Sequence, residues 1–494
     1  MSETQPLELD PGTPEIDLAQ VSKRSVSGIL SLTSRTFLVQ ITTFLATLAL
    51  TVFLSPEIYG IFFLVSSVVN FLTYFSDIGL AAALIQKKSK IIREDLTTTF
   101  AIQQILVVSL LLILKIATPT IRSFYSISQS GIYLLYALGI SFFLSSLKTI
   151  PSILLERRLQ FNKLIIPQIA ETLVFNFVAV YLAWQGYGIT SFTIAVLLRG
   201  ITGLVLMYIV SPWRPGLTIK KSSLKTLLKF GLPYQANTFI AVLKDDGMTI
   251  LLGKLIGPVG LGYIGWASRW ANMPLRIFMD NVSKVAFPAF SRLQDNKEKL
   301  QRAVELNIKY LSLAVFPIFI AMGFLARPLV EIIPKYTKWL PALIPLYLYL
   351  YNAGWATVST SLTNALNAVG KIHITFKLML MWASLTWGIM PFLAIKYGYL
   401  GVSYAAGLIA TSSLVAILVA RKHIKFSLLD SLKSPILSSI GLAVYLYLVH
   451  SFASSVSRVT VISLGGVIIF TSLVLLIEGK SFINKTIKLF ALRK

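Results

Sequence analysis

Leu54-Ser-Pro-Glu-Ile-Tyr-Gly60 separates two long apolar runs, and Ile256-Gly-Pro-Val-Gly-Leu-Gly262 separates two more about 200 residues later. Gly186-Tyr-Gly188 is echoed in the same way by Gly398-Tyr-Leu-Gly401, and Arg158-Leu-Gln-Phe-Asn-Lys163 by Val369-Gly-Lys-Ile-His373. The three pairs keep the same order, with offsets of about 200 to 212 residues. Together they predict a duplication of six helices plus six. An even number of crossings per repeat makes the halves parallel, related by an axis along the membrane normal.

The runs between these turns are long enough to cross a bilayer, which takes about 20 apolar residues. They predict roughly fourteen helices, over 26–53, 58–86, 96–118, 131–155, 162–184, 188–210, 230–256, 259–288, 303–326, 338–367, 371–395, 397–420, 434–451 and 459–477. The expected fold is therefore an all-α polytopic membrane protein. Two six-helix lobes, a parallel pseudo-twofold repeat, surround a central cavity, with two further C-terminal helices outside the repeat. The expected divisions are a disordered cytoplasmic tail over 1–22, an N-lobe over 23–210, a basic linker over 211–229 and a C-lobe over 230–420. Spans thirteen and fourteen and a basic cytoplasmic tail occupy 421–494. Residues 1–22 carry five acids and three prolines without the basic start of a cleavable signal, so the first span should act as an uncleaved signal and anchor.

Composition agrees. Of 494 residues 55% are hydrophobic and 13% charged, against about 25% charged in a soluble domain. The net charge of +25 would point to nucleic acid in a soluble chain, but here the basic residues fall on alternate loops. One side of the membrane receives about 29 of them and the other 7. That bias places both termini in the cytoplasm and makes the number of spans even. No cysteine is present, which excludes disulfides, thiolate catalysis and cysteine metal sites.

Charges inside the apolar runs are the candidates for function, because each costs a few kcal/mol there and is kept for a pathway, partner or ion. Arg269, Asn272, Arg276, Asp280 and Ser283 are spaced 3, 4, 4 and 3 apart and fall on one face of span eight. That stripe should meet protein or a hydrated cavity, or else lock the helix through an Arg276–Asp280 pair. Arg35 in span one and Arg199 in span six are the other cavity cations. Arg35 is also within snorkelling reach of the surface, and Glu171 in span five is a candidate partner for Arg199. Lys148 should snorkel. The intramembrane acids Asp77, Glu171, Asp245, Asp246 and Asp280 are candidates for ion coupling. Asp245 and Asp246 lie in Lys244-Asp-Asp-Gly247, which predicts a helix distorted at Gly247. For Asp77 the plainer reading is packing against a helix terminus. Asn352, Thr360, Thr363, Asn364 and Asn367 make span ten polar.

No catalytic, metal or cofactor site is expected. His373, His423 and His450 have no metal spacing, the glycines form no phosphate loop, and the acids are too dispersed for acid–base work.

Phe53-Leu-Ser-Pro-Glu-Ile-Tyr-Gly-Ile-Phe62 followed by Ser76-Asp-Ile-Gly-Leu-Ala-Ala-Ala-Leu-Ile-Gln-Lys87 resembles the opening of polysaccharide-transport flippases of the multidrug/oligosaccharidyl-lipid/polysaccharide exporter superfamily. Arg157-Arg-Leu-Gln-Phe-Asn-Lys163 and Gly186-Tyr-Gly188 recur at the expected later positions. The resemblance implies a cavity opening alternately to either face of the cell (inner) membrane. It also implies a polyprenyl-pyrophosphate-linked oligosaccharide as the substrate, flipped outward for cell-surface polysaccharide synthesis. Membrane lipids and a polysaccharide polymerase or export machinery are the implied partners, with no nucleic acid. Cavity arginines suit a pyrophosphate, which accepts bidentate hydrogen bonds. The rival readings are a cation-coupled multidrug exporter of the same superfamily, a membrane glycan polymerase and a scaffolding membrane protein. A polymerase is disfavoured by the short outer loops.

Overall fold

A computed structural model describes residues 39–87, 91–158 and 160–479, and Arg35 lies outside them. Every regular element among the described residues is helical. Among the described residues, ten helical stretches are long and apolar enough to cross a membrane. The chain divides into two compact units, which meet in sequence at Pro258 and Val259.

The first unit begins with α1 (Val39–Phe53), α2 (Pro56–Tyr74) and α3 (Leu80–Gln86). Next come α4 (Arg93–Tyr125), α5 (Gln129–Leu147), α6 (Thr149–Arg157), α7 (Phe161–Trp184), α8 (Thr190–Val210) and α9 (Lys221–Val242). Helix α9 passes through a π-helical turn, Leu243–Gly247, into α10 (Met248–Leu293). Ser55 shows how the first repeat turn works: its hydroxyl accepts from Ile58 N at 3.4 Å, and Pro56 occupies the first helical position, where its missing N–H costs nothing. The core of this unit joins α3, α4, α6 and α9 through Leu80, Leu84, Leu96, Phe100, Ile150 and Leu227.

The second unit holds the rest of α10, then α11 (Lys297–Ile332), a 3₁₀ turn (Thr337–Ala342), α12 (Leu343–Ala368), α13 (Ile372–Thr411) and α14 (Ser413–Arg421). Helices α15 (Leu428–Val449) and α16 (Val456–Glu478) follow. Val304, Ile308, Leu362, Leu366 and Ala420 form one core, and Leu325, Leu442, Leu446 and Phe470 another. Val461, Leu464, Ile468 and Leu476 of α16 stay at least 59% exposed, an apolar surface suited to lipid.

Two long helices are bent at turns expected from the sequence. Helix α10 breaks at Gly257 (φ 68°, ψ 176°) and α13 at Gly398 (φ 59°, ψ −141°), backbone regions that glycine alone enters easily. Gly257 precedes Pro258, which further disfavours helical geometry before it.

Several sequence boundaries shift. The run 58–86 is interrupted after Tyr74, where Ile78 and Gly79 take positive φ and Asp77 caps α3. The run 131–155 breaks at Lys148, between α5 and α6. Helices α4 and α11 exceed the apolar runs 96–118 and 303–326 because their polar ends remain helical. Helix α9 starts at Lys221, inside the stretch expected as linker, and α12 starts at Leu343 after the 3₁₀ turn.

Candidate functional site

The polar stripe of α10 is preserved in three dimensions. Arg269, Arg276 and Asp280 are exposed and Asn272 is half-buried, whereas Ile264, Ala267, Ala271, Leu275 and Met279 are buried along the other side of the helix. Asn272 Nδ2 donates to Ser268 O at 2.8 Å, so part of its amide is used within the helix. Ser283 accepts from Asn364 Nδ2 of α12 at 3.0 Å, tying the end of the stripe to the polar face of span ten. The alternative expectation, an Arg276–Asp280 lock, is not met. Among the described residues no ion pair joins them, and none joins Arg269 to a carboxylate. Both guanidiniums therefore present their donors outward.

A second polar cluster lies in the first unit. Glu171 of α7 is buried and pairs with Lys148 at the α5–α6 break. Its other oxygen, Oε2, lies 3.8 Å from Arg199 Nε of α8. Lys148, expected to snorkel, is instead paired with the Glu171 carboxylate of α7. Gly203 makes the arrangement possible, since a Cβ at that position would coincide with the Glu171 carboxylate. Nearby helix positions carry Gln103, whose Nε2 donates to Thr149 Oγ1 at 3.1 Å, and Gln104, whose Oε1 accepts from Ser146 at 3.2 Å. The Gln103-Gln104 pair was missed in the sequence, although two adjacent amides inside the apolar run of α4 are a readable signal.

The remaining acids have separate surroundings. Asp77 accepts from Ala81 N at 3.0 and 3.2 Å, so its carboxylate caps α3, the plainer of its two expectations. Lys244 pairs with its neighbour Asp245. Asp246 lies beside Ser67 and Asn70 of α2. The distortion expected at Gly247 is present as the π turn Leu243–Gly247, a form concentrated at functional sites. An open groove of about 900 Å³ runs between α1 and α7, lined by Leu45, Ala49, Phe53, Leu173, Phe177 and Trp184 among others. It can take hydrocarbon but not a charged head group. No group of His, Cys, Asp or Glu suited to a metal ion occurs among the described residues.

Comparison with known proteins is consistent across sequence and structure. A family model described as "Polysaccharide biosynthesis protein" matches residues 49–343. The succinoglycan biosynthesis transport protein ExoT of Rhizobium meliloti is 22% identical over 356 residues, 72% of this chain and 70% of the relative. The teichuronic acid biosynthesis protein TuaB of Bacillus subtilis is 24% identical over 66% of this chain and 67% of the relative. The lipopolysaccharide biosynthesis protein WzxC of Escherichia coli is 26% identical over 33% of each chain. Among solved structures, the lipid II flippase MurJ in an inward closed conformation superimposes with a TM-score of 0.72 at 16% identity, covering 90% of this chain and 98% of that one. An inward-facing multidrug resistance MATE family transporter gives 0.60 at 15% identity, covering 76% and 93%. At these identities the likeness is one of fold: the chain has the all-helical fold of MurJ and the MATE transporters.

Proposed function

The chain belongs to the polysaccharide biosynthesis protein family, and from that premise we propose that it is a flippase. Its substrate is a polyprenyl-pyrophosphate-linked oligosaccharide repeat unit, carried across the plasma membrane for cell-surface polysaccharide synthesis. The observation that carries this reading is the α10 stripe: Arg269 and Arg276, exposed and without a carboxylate partner among the described residues, on the polar face of a helix whose other face is apolar. An unpaired arginine at membrane depth calls for an anionic guest, and a pyrophosphate fits it. Asn272 and the polar face of α12 supply partners for sugar hydroxyls. A relative named for succinoglycan biosynthesis transport, others named for teichuronic acid and lipopolysaccharide biosynthesis, and the fold shared with a lipid II flippase support the same reading. The chain acts as a transporter and performs no bond chemistry.

In this reading the breaks at Gly257 and Gly398 divide α10 and α13 into two crossings each, giving fourteen. Six plus six of these form two lobes that open a central cavity alternately to the cytoplasm and the outside, and both termini are cytoplasmic. A glycan polymerase or export complex takes the product. Arg35 and Arg199 join the cationic lining. Asp245 and Asp246 in the π turn are the coupling candidates, with Asp280 beside Arg276 as a further one, because a widened helix turn gives a carboxylate access to water.

The test is flipping of a lipid-linked oligosaccharide in proteoliposomes by Arg269→Ala and Arg276→Ala. Each should lose about tenfold or more in rate, the scale of a charge-assisted bidentate contact. Full activity in both variants overturns the reading. A flux that ignores collapse of proton and sodium gradients removes Asp245, Asp246 and Asp280 from coupling.

A further inference from the structure

We propose that Arg199 is an anion-binding residue in its own right and that Glu171 is its resting counter-ion, displaced when a phosphate or carboxylate arrives. The inference rests on the flippase reading and adds to it an exchange within the first unit. It begins with a charge count. Lys148 and Arg199 flank one carboxylate, Glu171, so the cluster carries one surplus positive charge at membrane depth. The two cations are held differently. Lys148 is hydrogen-bonded to Glu171, and both side chains are at least 83% covered, being 17% and 11% exposed. Arg199 is 53% exposed and reaches the same carboxylate only at 3.8 Å, beyond hydrogen-bond range. Among the described residues its guanidinium makes no hydrogen bond, so its five N–H donors are unspent.

That exposure is not on the apolar arc of the helix. At about 100° per residue, Arg199 lies within about 40° of the buried Phe192, Ala195 and Gly203 on α8. It lies at least about 80° from Leu198, Ile201, Val205 and Ile209, the exposed apolar arc of the same helix. Glu171 likewise shares the inner face of α7 with Gln168 and Phe175, away from the exposed Leu173, Phe177 and Trp184. A half-exposed arginine on that face of α8 keeps its guanidinium accessible to a ligand. Phe175 supports it, with its ring centroid 5.9 Å from the guanidinium carbon. Gln168 Oε1, one turn from Glu171, is buried without a hydrogen-bond partner and can accept from a ligand hydroxyl. The site thus offers a free fork of donors, a stacking face and a spare acceptor. An internal carboxylate holds the cation while the site is empty and lets go at little cost, because Lys148 continues to neutralise it.

Binding to the full chain in nanodiscs of zwitterionic lipid tests this, with farnesyl pyrophosphate, farnesol, inorganic pyrophosphate and glucuronate as probes. Farnesyl pyrophosphate should bind more tightly than farnesol, and Arg199→Ala should weaken it about tenfold. The neutral replacement Lys148→Met with Glu171→Gln, which keeps the surplus charge and leaves no buried ion unpaired, should bind it more tightly than the native chain. The lipid is the source of the anion if only farnesyl pyrophosphate responds to Arg199→Ala; response of glucuronate instead assigns it to the glycan. The proposal is overturned if Arg199→Ala binds every probe as the native chain does, or if the double replacement loses affinity as Arg199→Ala does. Arg269→Ala separates the two readings. Loss there with none at Arg199 sinks only this inference, whereas no binding of any probe by the native chain sinks the flippase reading as well.

Discussion

Glu171 shows what a single residue does at membrane depth. Its carboxylate neutralises Lys148, and the space it occupies exists only because residue 203 is glycine. Glu171→Gln leaves Lys148 charged, largely covered and unpaired, and should lower stability by about 3 to 5 kcal/mol. Scanning fluorimetry on the purified protein checks this, and Lys148→Met in the same chain should restore most of the loss. Gly203→Ala forces the carboxylate out of its seat and should behave like Glu171→Gln; an unchanged melting temperature would show that the pair is not where it is described. Lys338 illustrates a different case, a cation outside the long helices. It sits in the 3₁₀ turn between α11 and α12, where burial, reinforced by the charge of Lys335, pushes its ammonium down from 10.5 to about 8. Between those two values the unfolded chain holds a proton that the folded chain has released. Stability should therefore rise from pH 8 to pH 10.5, and this contribution is lost as pH falls through 8. Melting curves of Lys338→Met across that range should be flatter than those of the native chain.

At the level of elements, the helices follow the apolar runs except where the backbone is forced to break. Gly257 and Gly398 hold dihedrals that a side chain resists, so alanine at either should cost about 1 to 3 kcal/mol. Gly323 is a contrast within α11: it is helical, with nothing within 4 Å of an added Cβ. Gly323→Ala should be neutral or stabilise by up to about 1 kcal/mol. Equal effects at all three positions would refute the distinction. These breaks were legible as repeated Gly-containing turns. The interruption at 75–79 was not, because Asp77 capping and the left-handed Ile78 and Gly79 leave no gap in hydropathy. The break at Lys148 lies just before Pro151, which has no N–H for Leu147 O and whose ring crowds that carbonyl; what hydropathy leaves unread is the pairing of Lys148 with Glu171.

For the molecule as a whole, the charge bias makes a topological statement that a cysteine-free chain can test directly. Lys299 and Lys335 are exposed near opposite ends of α11, on the loops read as cytoplasmic and outer respectively. In intact cells a membrane-impermeant maleimide should label Lys335→Cys and spare Lys299→Cys until the membrane is opened. The reverse pattern would invert the orientation of the chain.

Hydropathy and loop charge suffice, without any coordinates, to establish a polytopic helical membrane protein, and the resemblance of its N-terminal motifs adds the polysaccharide-transport type. Each is a local or periodic property, written along the chain by the cost of placing polar groups in hydrocarbon. The stripe of Arg269, Asn272, Arg276 and Asp280 was legible for the same reason, since helical periodicity alone puts it on one face. Which charges are satisfied is a different kind of fact. That Glu171 holds Lys148 while Arg199 keeps its donors free, and that Arg276 leaves Asp280 unpaired, depends on side chains brought together from separate helices. Pairing energy falls steeply with distance and with exposure, so only tertiary packing decides it.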